Sequence, residues 1–320
     1  MMGVTRRGFI GGGVAAGLAL TGARSAFGFA GSPFKIGVIS DEISQDFDHA
    51  CYVASKDFGM HWVELRALWK KSLQQLSDAE IADALKILAK YNLRVSDIAS
   101  PLFKVDWPGA PRSEHSPKDA KPSADVLKEQ DVVLEKSIAL AKQFKTDKIR
   151  CFDFWRIEDV APYRKAIDQK LMEAATTCGK QNVMLVIENE FACNTATGRE
   201  AARTLAAVKS PHFGLNWDPG NAVMRGEFDA FPVAWNMLPK NRIHHCHVKN
   251  AVKGADGKVV WSPTGTGIID WTGQFREMAK AGYRDAVSLE THWHGGANPE
   301  DSTKQSWVGM KKALVDSGNL

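Results

Sequence analysis

Three histidines fall within four positions of "RIHHCHVKN" (242–250), with Lys249 two residues beyond the last of them. Alternation along a strand puts His245 and His247 on one side and His244 and Cys246 on the other. Three other apolar or neutral runs end in a carboxylate: Glu188 in "NVMLVIENE", Asp218 in "HFGLNWD" and Glu290 in "DAVSLETHW". An unpaired carboxylate is costly to bury. If the four stretches converge, one imidazole and three carboxylates form a ligand set whose mutual repulsion a divalent cation resolves. Three oxygens and one nitrogen, with no thiolate, suit Mn²⁺, with Mg²⁺ or Co²⁺ as alternatives, better than structural Zn²⁺. Such a cation polarises a carbonyl and acidifies the neighbouring C–H or O–H.

Convergence depends on the elements that carry these residues. From residue 34 short apolar runs alternate with helical patterns. Strands are expected over 34–40, 61–67, 93–100, 147–154, 182–190, 212–218, 242–248 and 285–293. Helices are expected over 47–59, 77–92, 124–145, 159–180, 197–208, 229–238 and 271–281. The helix at 77 opens on a capping serine with Glu80 at its third position. A polar, proline-rich stretch (104–123) reads as a long loop, because the alternation resumes after it. Eight strands alternating with helices predict a (β/α)8 TIM barrel, a single domain over 31–320 with its active site at the carboxyl ends of the strands. A doubly wound sheet is the alternative, but "VISDEIS" lacks its glycine-rich phosphate turn. On the barrel Glu188, Asp218, His247 and Glu290 end four consecutive strands. Any one of these acids is explained as well by a helix cap or an arginine partner; their shared register points to a metal.

Further candidates surround this set. Glu64 and Arg66 in "WVELR" end the second strand and are expected on opposite sides of it, one of them near substrate or the metal's outer shell, with a rim salt bridge as the alternative. Arg150, Asp153, Trp155 and Arg156 follow the fourth strand as lining for a polyol pocket, since indole faces pack on sugar C–H surfaces. Trp155 reads equally as core. At least one of His292, Trp293 and His294 is expected to face the mouth, with His292 and His294 as substrate contacts. "GTGIIDW" (265–271) reads as structural, Asp270 capping a helix and Trp271 packing.

As a set, "GVISDEISQDF", "WVELR", "IEN", "WDPGN", "HCHVKN", "GTGIIDW" and "SLETH" span residues 34 to about 295. They resemble the xylose-isomerase-like barrel superfamily, in the branch called sugar phosphate isomerases/epimerases. The resemblance implies that Glu188, Asp218, His247 and Glu290 bind one divalent metal, and it selects His247 from the histidine cluster. It further implies that Glu188 and Glu290 act as opposed acid/base groups beside a metal-polarised carbonyl, and that Lys249 contacts substrate oxygens. His245, one pleat deeper, is expected to support the ligand from the barrel interior, and His244 to pack toward the helices. Three positions depart from the pattern. Glu190 stands where histidine is frequent, Asn250 where aspartate is usual, and Asn194 where ketose epimerases tend to carry an acid. These changes leave the metal set intact and open the question of substrate and reaction. Asn221 stands where a DNA-repair nuclease branch has a metal-binding histidine; here it is counted among the substrate contacts.

The rest of the chain narrows the function class. The net charge of +4 is spread without basic runs, which argues against a nucleic-acid partner. "TRRGFI" (5–10), a short weakly apolar stretch and small residues resemble a twin-arginine export signal over residues 1–30, which predicts a periplasmic protein without stable membrane insertion once the signal is cleaved. The apolar stretch is short for a span of ~20 residues. Five cysteines, odd in number and without a C-x-x-C pair, form no disulfide framework and are expected to be buried. The expected activity is a metal-dependent isomerase or epimerase acting on a sugar or keto-sugar derivative. A lyase or dehydratase on a keto-sugar or keto-glycoside is the alternative, and a sugar-binding protein without turnover is a third. The expected partner is a small carbohydrate; a homo-oligomer is left open.

Overall fold

The computed structural model describes Phe29, residues 31–119, Ser123 and residues 125–320. Apart from Phe29, the expected export signal lies outside the described residues. Eight parallel strands close into a barrel in chain order: β1 Lys35–Ile39, β2 Trp62–Leu65, β3 Arg94–Leu102, β4 Lys148–Cys151, β5 Met184–Glu188, β6 Phe213–Trp217, β7 Ile243–Val248 and β8 Ala286–Leu289. The last strand returns to the first in a register running from Lys35 opposite Ala286 to Val38 opposite Leu289. This is the expected single-domain (β/α)8 barrel. Strands such as "FGLNW" and "KIRC" are buried along their whole length, because helices cover one face and the barrel interior the other.

The helices are α1 Phe47–Tyr52, α2 Asp78–Lys90, α3 Val126–Gln143, α4 Ala161–Gly179, α5 Gly198–Ala207, α6 Pro219–Met224, α7 Trp235–Met237, α8 Trp271–Lys280 and α9 Pro299–Asp316. At α2 the Ser77 hydroxyl accepts from the Glu80 amide while the Glu80 carboxylate accepts from the Ser77 amide, satisfying two donors that a helix start leaves open. Phe47, Leu88, Leu134, Leu171, Phe275 and Met310 join one buried apolar cluster that ties the helices to the sheet. All five cysteines are buried and unpaired. No described helix is long and apolar enough to cross a membrane.

Three features depart from the sequence reading. The helix expected over 229–238 is broken: Phe231 is extended (φ −132°, ψ 133°), as a residue before proline prefers, and only Trp235–Met237 is regular α-helix. The last helix, α9, was not anticipated, although Asn298 caps it and Pro299 fills its first position, where a missing N–H costs nothing. Two antiparallel hairpins extend from the carboxyl ends of β2 and β7: Ala67–Leu68 with Lys71–Ser72, and Asn250–Lys253 with Val259–Ser262.

Candidate active site

The four strand-end residues meet. One ligand atom from each of Glu188, Asp218, His247 and Glu290 lies within 4.8 Å of the others, and all four residues are buried. The His247 Nδ1 is 3.1 Å from Glu290 Oε2, 3.3 Å from Glu188 Oε1 and 3.5 Å from Asp218 Oδ2. Its Nε2 lies 3.0 Å from Glu64 Oε1 and 3.0 Å from Asn216 Nδ2. One ring nitrogen thus faces three carboxylates and the other rests on a buried carboxylate, the arrangement that fixes and strengthens a metal-binding imidazole. Asp218 also caps α6, accepting from the Asn221 amide at 2.9 Å.

The electrostatics call for positive charge. Burial works against an ionised Glu188, but His247 and Arg150 outweigh it and hold the carboxyl down at about 2. Burial opposes ionisation of Glu290 too, and Lys249, His292 and His247 hold it well below the usual carboxylate range. Burial disfavours charge on His247, yet Glu64, Glu290 and Glu188 push its pKa well above that of an ordinary imidazole. Lys249, fully buried, is raised by Asp218 and Glu290, to which its Nζ lies 2.8 and 2.5 Å away. Among the described residues, the buried carboxamide oxygens of Asn216 and Asn221 have no hydrogen-bond partner. Three buried carboxylates, one oriented imidazole and unspent acceptors fit a divalent cation in both charge and donor type.

Both glutamates present two differently placed oxygens. Glu188 directs Oε1 toward His247 and Oε2 toward Arg150 Nη1, 3.0 Å away. Glu290 directs Oε2 toward His247 and Oε1 toward Arg66 Nη1, also at 3.0 Å. Arg66 and Arg150 line a cavity of about 600 Å³ together with Gln45, Lys104 and Phe152. Each glutamate therefore has an inner oxygen at the shared centre and an outer one on an arginine that lines the cavity.

The remaining candidates divide. Glu64 and Arg66 were expected on opposite sides, yet both point toward the centre, as residues two apart on a strand must: Glu64 holds His247 and His245, and Arg66 reaches Asp41, Glu42 and Glu290. His245 supports from within the barrel, its Nε2 2.9 Å from Glu64 Oε2. His244 turns away, toward Asp285. Asn221 touches the candidate ligands rather than the cavity, its Nδ2 donating to Glu188 Oε1 and Asp218 Oδ2 at 3.0 Å each. His292 faces the mouth, its Nδ1 3.5 Å from Glu42 and 3.8 Å from Glu290. His294 is exposed and outside the cluster. Trp155 lines a neighbouring hollow rather than the cavity beside Arg66 and Arg150. Asp153 and Arg156 serve structure: Asp153 accepts from Thr195 and pairs with Arg164, and Arg156 pairs with Glu200.

The departures from the family pattern have local accounts. Asn250 Oδ1 accepts from the Ala251 and Ile269 amides, pinning the "GTGIIDW" segment beside Lys249. In that segment Asp270 caps α8 and Trp271 donates to the Lys249 carbonyl at 2.8 Å. Asn194 bridges the loops after β4 and β5, donating to the Asp153 carbonyl and accepting from the Ile157 amide. Glu190 lies 3.4 Å from the Lys104 ammonium. Gly220 of "WDPGN" is required by close approach, since a Cβ there would lie 2.5 Å from Lys249 Cγ.

Sequence reasoning missed Glu42, Asn216 and Trp261. Glu42 stands in a motif that had been singled out, but its role appears only through Arg66 and His292. Trp261 rides on the hairpin after β7, its ring 5.2 Å from Lys249 Nζ and 5.4 Å from the His292 ring. The Asp256–Gly257 pair between apolar runs was the available hairpin signal.

Comparison with known proteins identifies the fold and the family. The model of a family described as xylose isomerase-like TIM barrel matches residues 53–312. No curated protein matches significantly in sequence. Among solved structures, a probable 3-DHS dehydratase of Bacillus anthracis is 19% identical, with a TM-score of 0.63 over 88% of this chain and 98% of its own. A D-psicose 3-epimerase crystallised in the presence of D-fructose is 16% identical (TM-score 0.64; 89% of this chain, 99% of that one). A xylose isomerase-like barrel protein of Mycobacterium smegmatis, in complex with magnesium, is 14% identical (TM-score 0.64; 91% and 99%). A longer match also occurs: this chain spans 42% of a fusion between such a barrel and a 4-hydroxyphenylpyruvate dioxygenase. At these identities the structures speak for the fold alone, while the family model covers most of the chain: it belongs to the xylose isomerase-like TIM barrel family.

Proposed function

We propose that this protein is a divalent-metal-dependent isomerase or epimerase of an uncharged keto-sugar, working outside the cytoplasm. The observation that carries the reading is the paired disposition of Glu188 and Glu290, each with one oxygen at the His247 centre and the other on an arginine that lines the cavity. Glu188, Asp218, His247 and Glu290 would hold the ion. A bound divalent cation would polarise the substrate carbonyl and lower the barrier to enolisation. One glutamate then takes the proton from the carbon next to the carbonyl. The other returns a proton from the opposite face of that carbon, giving the epimer, or to the neighbouring carbon, giving the isomer. Arg150 helps keep Glu188 ionised, Arg150 and Arg66 aim the two outer oxygens, and Lys249 donates to a substrate oxygen while Gly220 leaves room for its stem.

Charge supports an uncharged substrate. Arg66, Arg150, Lys104 and Lys249 each pair with a carboxylate, so that among the described cations lining the cavity only Lys70 has no ion pair, and one ammonium leaves a phosphate dianion half compensated. Export, read from the paired arginines near the amino terminus, agrees, because sugar phosphates are largely cytoplasmic.

Metal analysis followed by incubation with keto-sugars in D₂O tests the reading. The expected result is about one equivalent of divalent metal and deuterium at the carbon next to the carbonyl in sugar of otherwise unchanged composition. Loss of water or of an aglycone would assign elimination instead. Tight sugar binding with no exchange, unaltered by Glu188→Gln, would identify a binding protein.

A further inference from the structure

A second hollow adjoins the cavity lined by Arg66 and Arg150. It encloses about 430 Å³; Val105, Trp107, Ala110 and Trp155 are among its apolar lining, and Asp106, Arg112 and Glu129 also line it. Lys104 lines both spaces and so stands at their junction. Its ammonium lies 4.5 Å from the Phe152 ring centroid and 5.5 Å from that of Trp155, with its ion pair to Glu190 long at 3.4 Å. The wall is framed by regular contacts. The Trp155 amide donates to the Val105 carbonyl at 2.9 Å, Trp155 bridges to Cys193, and Trp107 meets Phe154 edge-on at 4.7 Å.

A free hexose fills only part of the 600 Å³ cavity, so it has no use for the second hollow. Val105, Trp107 and Trp155 nevertheless remain partly exposed there. Partly exposed indole surface with a cationic donor at its edge suits a group that has a flat apolar face and is joined to the sugar through an oxygen. We propose that the hollow is a subsite for the non-reacting part of a glycoside, with the reacting ring over Glu188 and Glu290, the aglycone against Trp107 and Trp155, and Lys104 donating to the linking oxygen. The proposal rests on the keto-sugar reading only for what occupies the first cavity.

Calorimetric titration of the metal-loaded full chain with D-glucose, p-nitrophenyl β-D-glucopyranoside and p-nitrophenol tests it. The expected result is at least tenfold tighter binding of the glucoside than of glucose, with p-nitrophenol binding by itself and competing with the glucoside. Ala110→Trp, which fills the hollow, should bring the glucoside-to-glucose ratio close to one, and Trp155→Ala should lower it independently. Equal affinities in the unmodified protein, no detectable binding of the glucoside, or a ratio untouched in both variants overturns the proposal. If free keto-sugars exchange deuterium but aglycones add nothing, the subsite fails and the proposed activity stands. If p-nitrophenol binds and Ala110→Trp abolishes it while no keto-sugar is turned over, the subsite stands and the proposed activity fails.

Discussion

The two halves of the barrel contribute different things to one centre. Strands β5 to β8 supply the whole candidate ligand set, Glu188, Asp218, His247 and Glu290. Strands β1 to β4 supply none of it. They bring instead the partners of those ligands: Glu42 just after β1, Glu64 and Arg66 at the end of β2, and Arg150 on β4. The second half offers donors for a cation, and the first half sets how those donors are charged and aimed. Because the cavity opens against Arg66 and Arg150, the first half also forms much of the wall that a substrate would meet.

This division can be broken by substitution. Glu188→Gln removes a ligand and a proton acceptor together, so kcat/KM should fall by roughly 10³ or more, about 4 kcal/mol of transition-state stabilisation. Steady-state rates on a turned-over keto-sugar, with circular dichroism to confirm folding, measure this; a loss below tenfold would remove Glu188 from the chemistry. Glu64→Gln acts one contact further out. Metal affinity should fall by about 10- to 100-fold, with activity returning at saturating metal, because His247 loses its charged support and keeps its place. Unchanged affinity in a metal titration would reduce Glu64 to interior packing.

The same division governs what could be read from the sequence. The convergence of the four candidate ligands was legible because each of them interrupts an apolar run at the same place on its strand. A charge that ends a buried strand is conspicuous in one dimension. The partner half was not, because its roles are pairwise and long-range: Arg66 meets Glu290 across 224 positions, and Glu64 meets His247 across 183. Glu64 and Arg66 were noticed but assigned to opposite sides, whereas two-residue spacing keeps them on one. Local signals served the scaffold well at the Ser77 capping box. They were present but unread at Asn298–Pro299 and Asp256–Gly257, and they misled at 229–238, where helical periodicity yielded to Pro232.

The smallest effect sharpens the comparison within the first half. Glu64 and Asp97, on adjacent strands, are both fully buried in the barrel interior, yet their carboxyls are driven apart. Burial opposes ionisation of Glu64, but His247 and His245 outweigh it and keep it ionised well below the usual range. Among the described residues neither Asp97 oxygen has a hydrogen-bond partner, and burial pushes the carboxyl up to about 6, only partly offset by His245. A carboxyl whose folded pKa lies above its unfolded value of 3.8 contributes stability that is complete below 3.8 and is lost as pH rises through about 6. Between pH 4.5 and pH 7 this loss is on the order of 2 kcal/mol at 1.36 kcal/mol per pH unit. Asp97→Asn, similar in shape and always neutral, escapes that loss. Denaturant unfolding should therefore show the variant gaining on the parent by on the order of 2 kcal/mol from pH 4.5 to pH 7, with metal affinity unchanged because Asp97 touches no ligand. Parallel stability curves for the two proteins would mean that Asp97 titrates like an exposed carboxylate. The polar interior of the first half would then extend past Glu64, and the separation of an ionised partner from a neutral neighbour would fail.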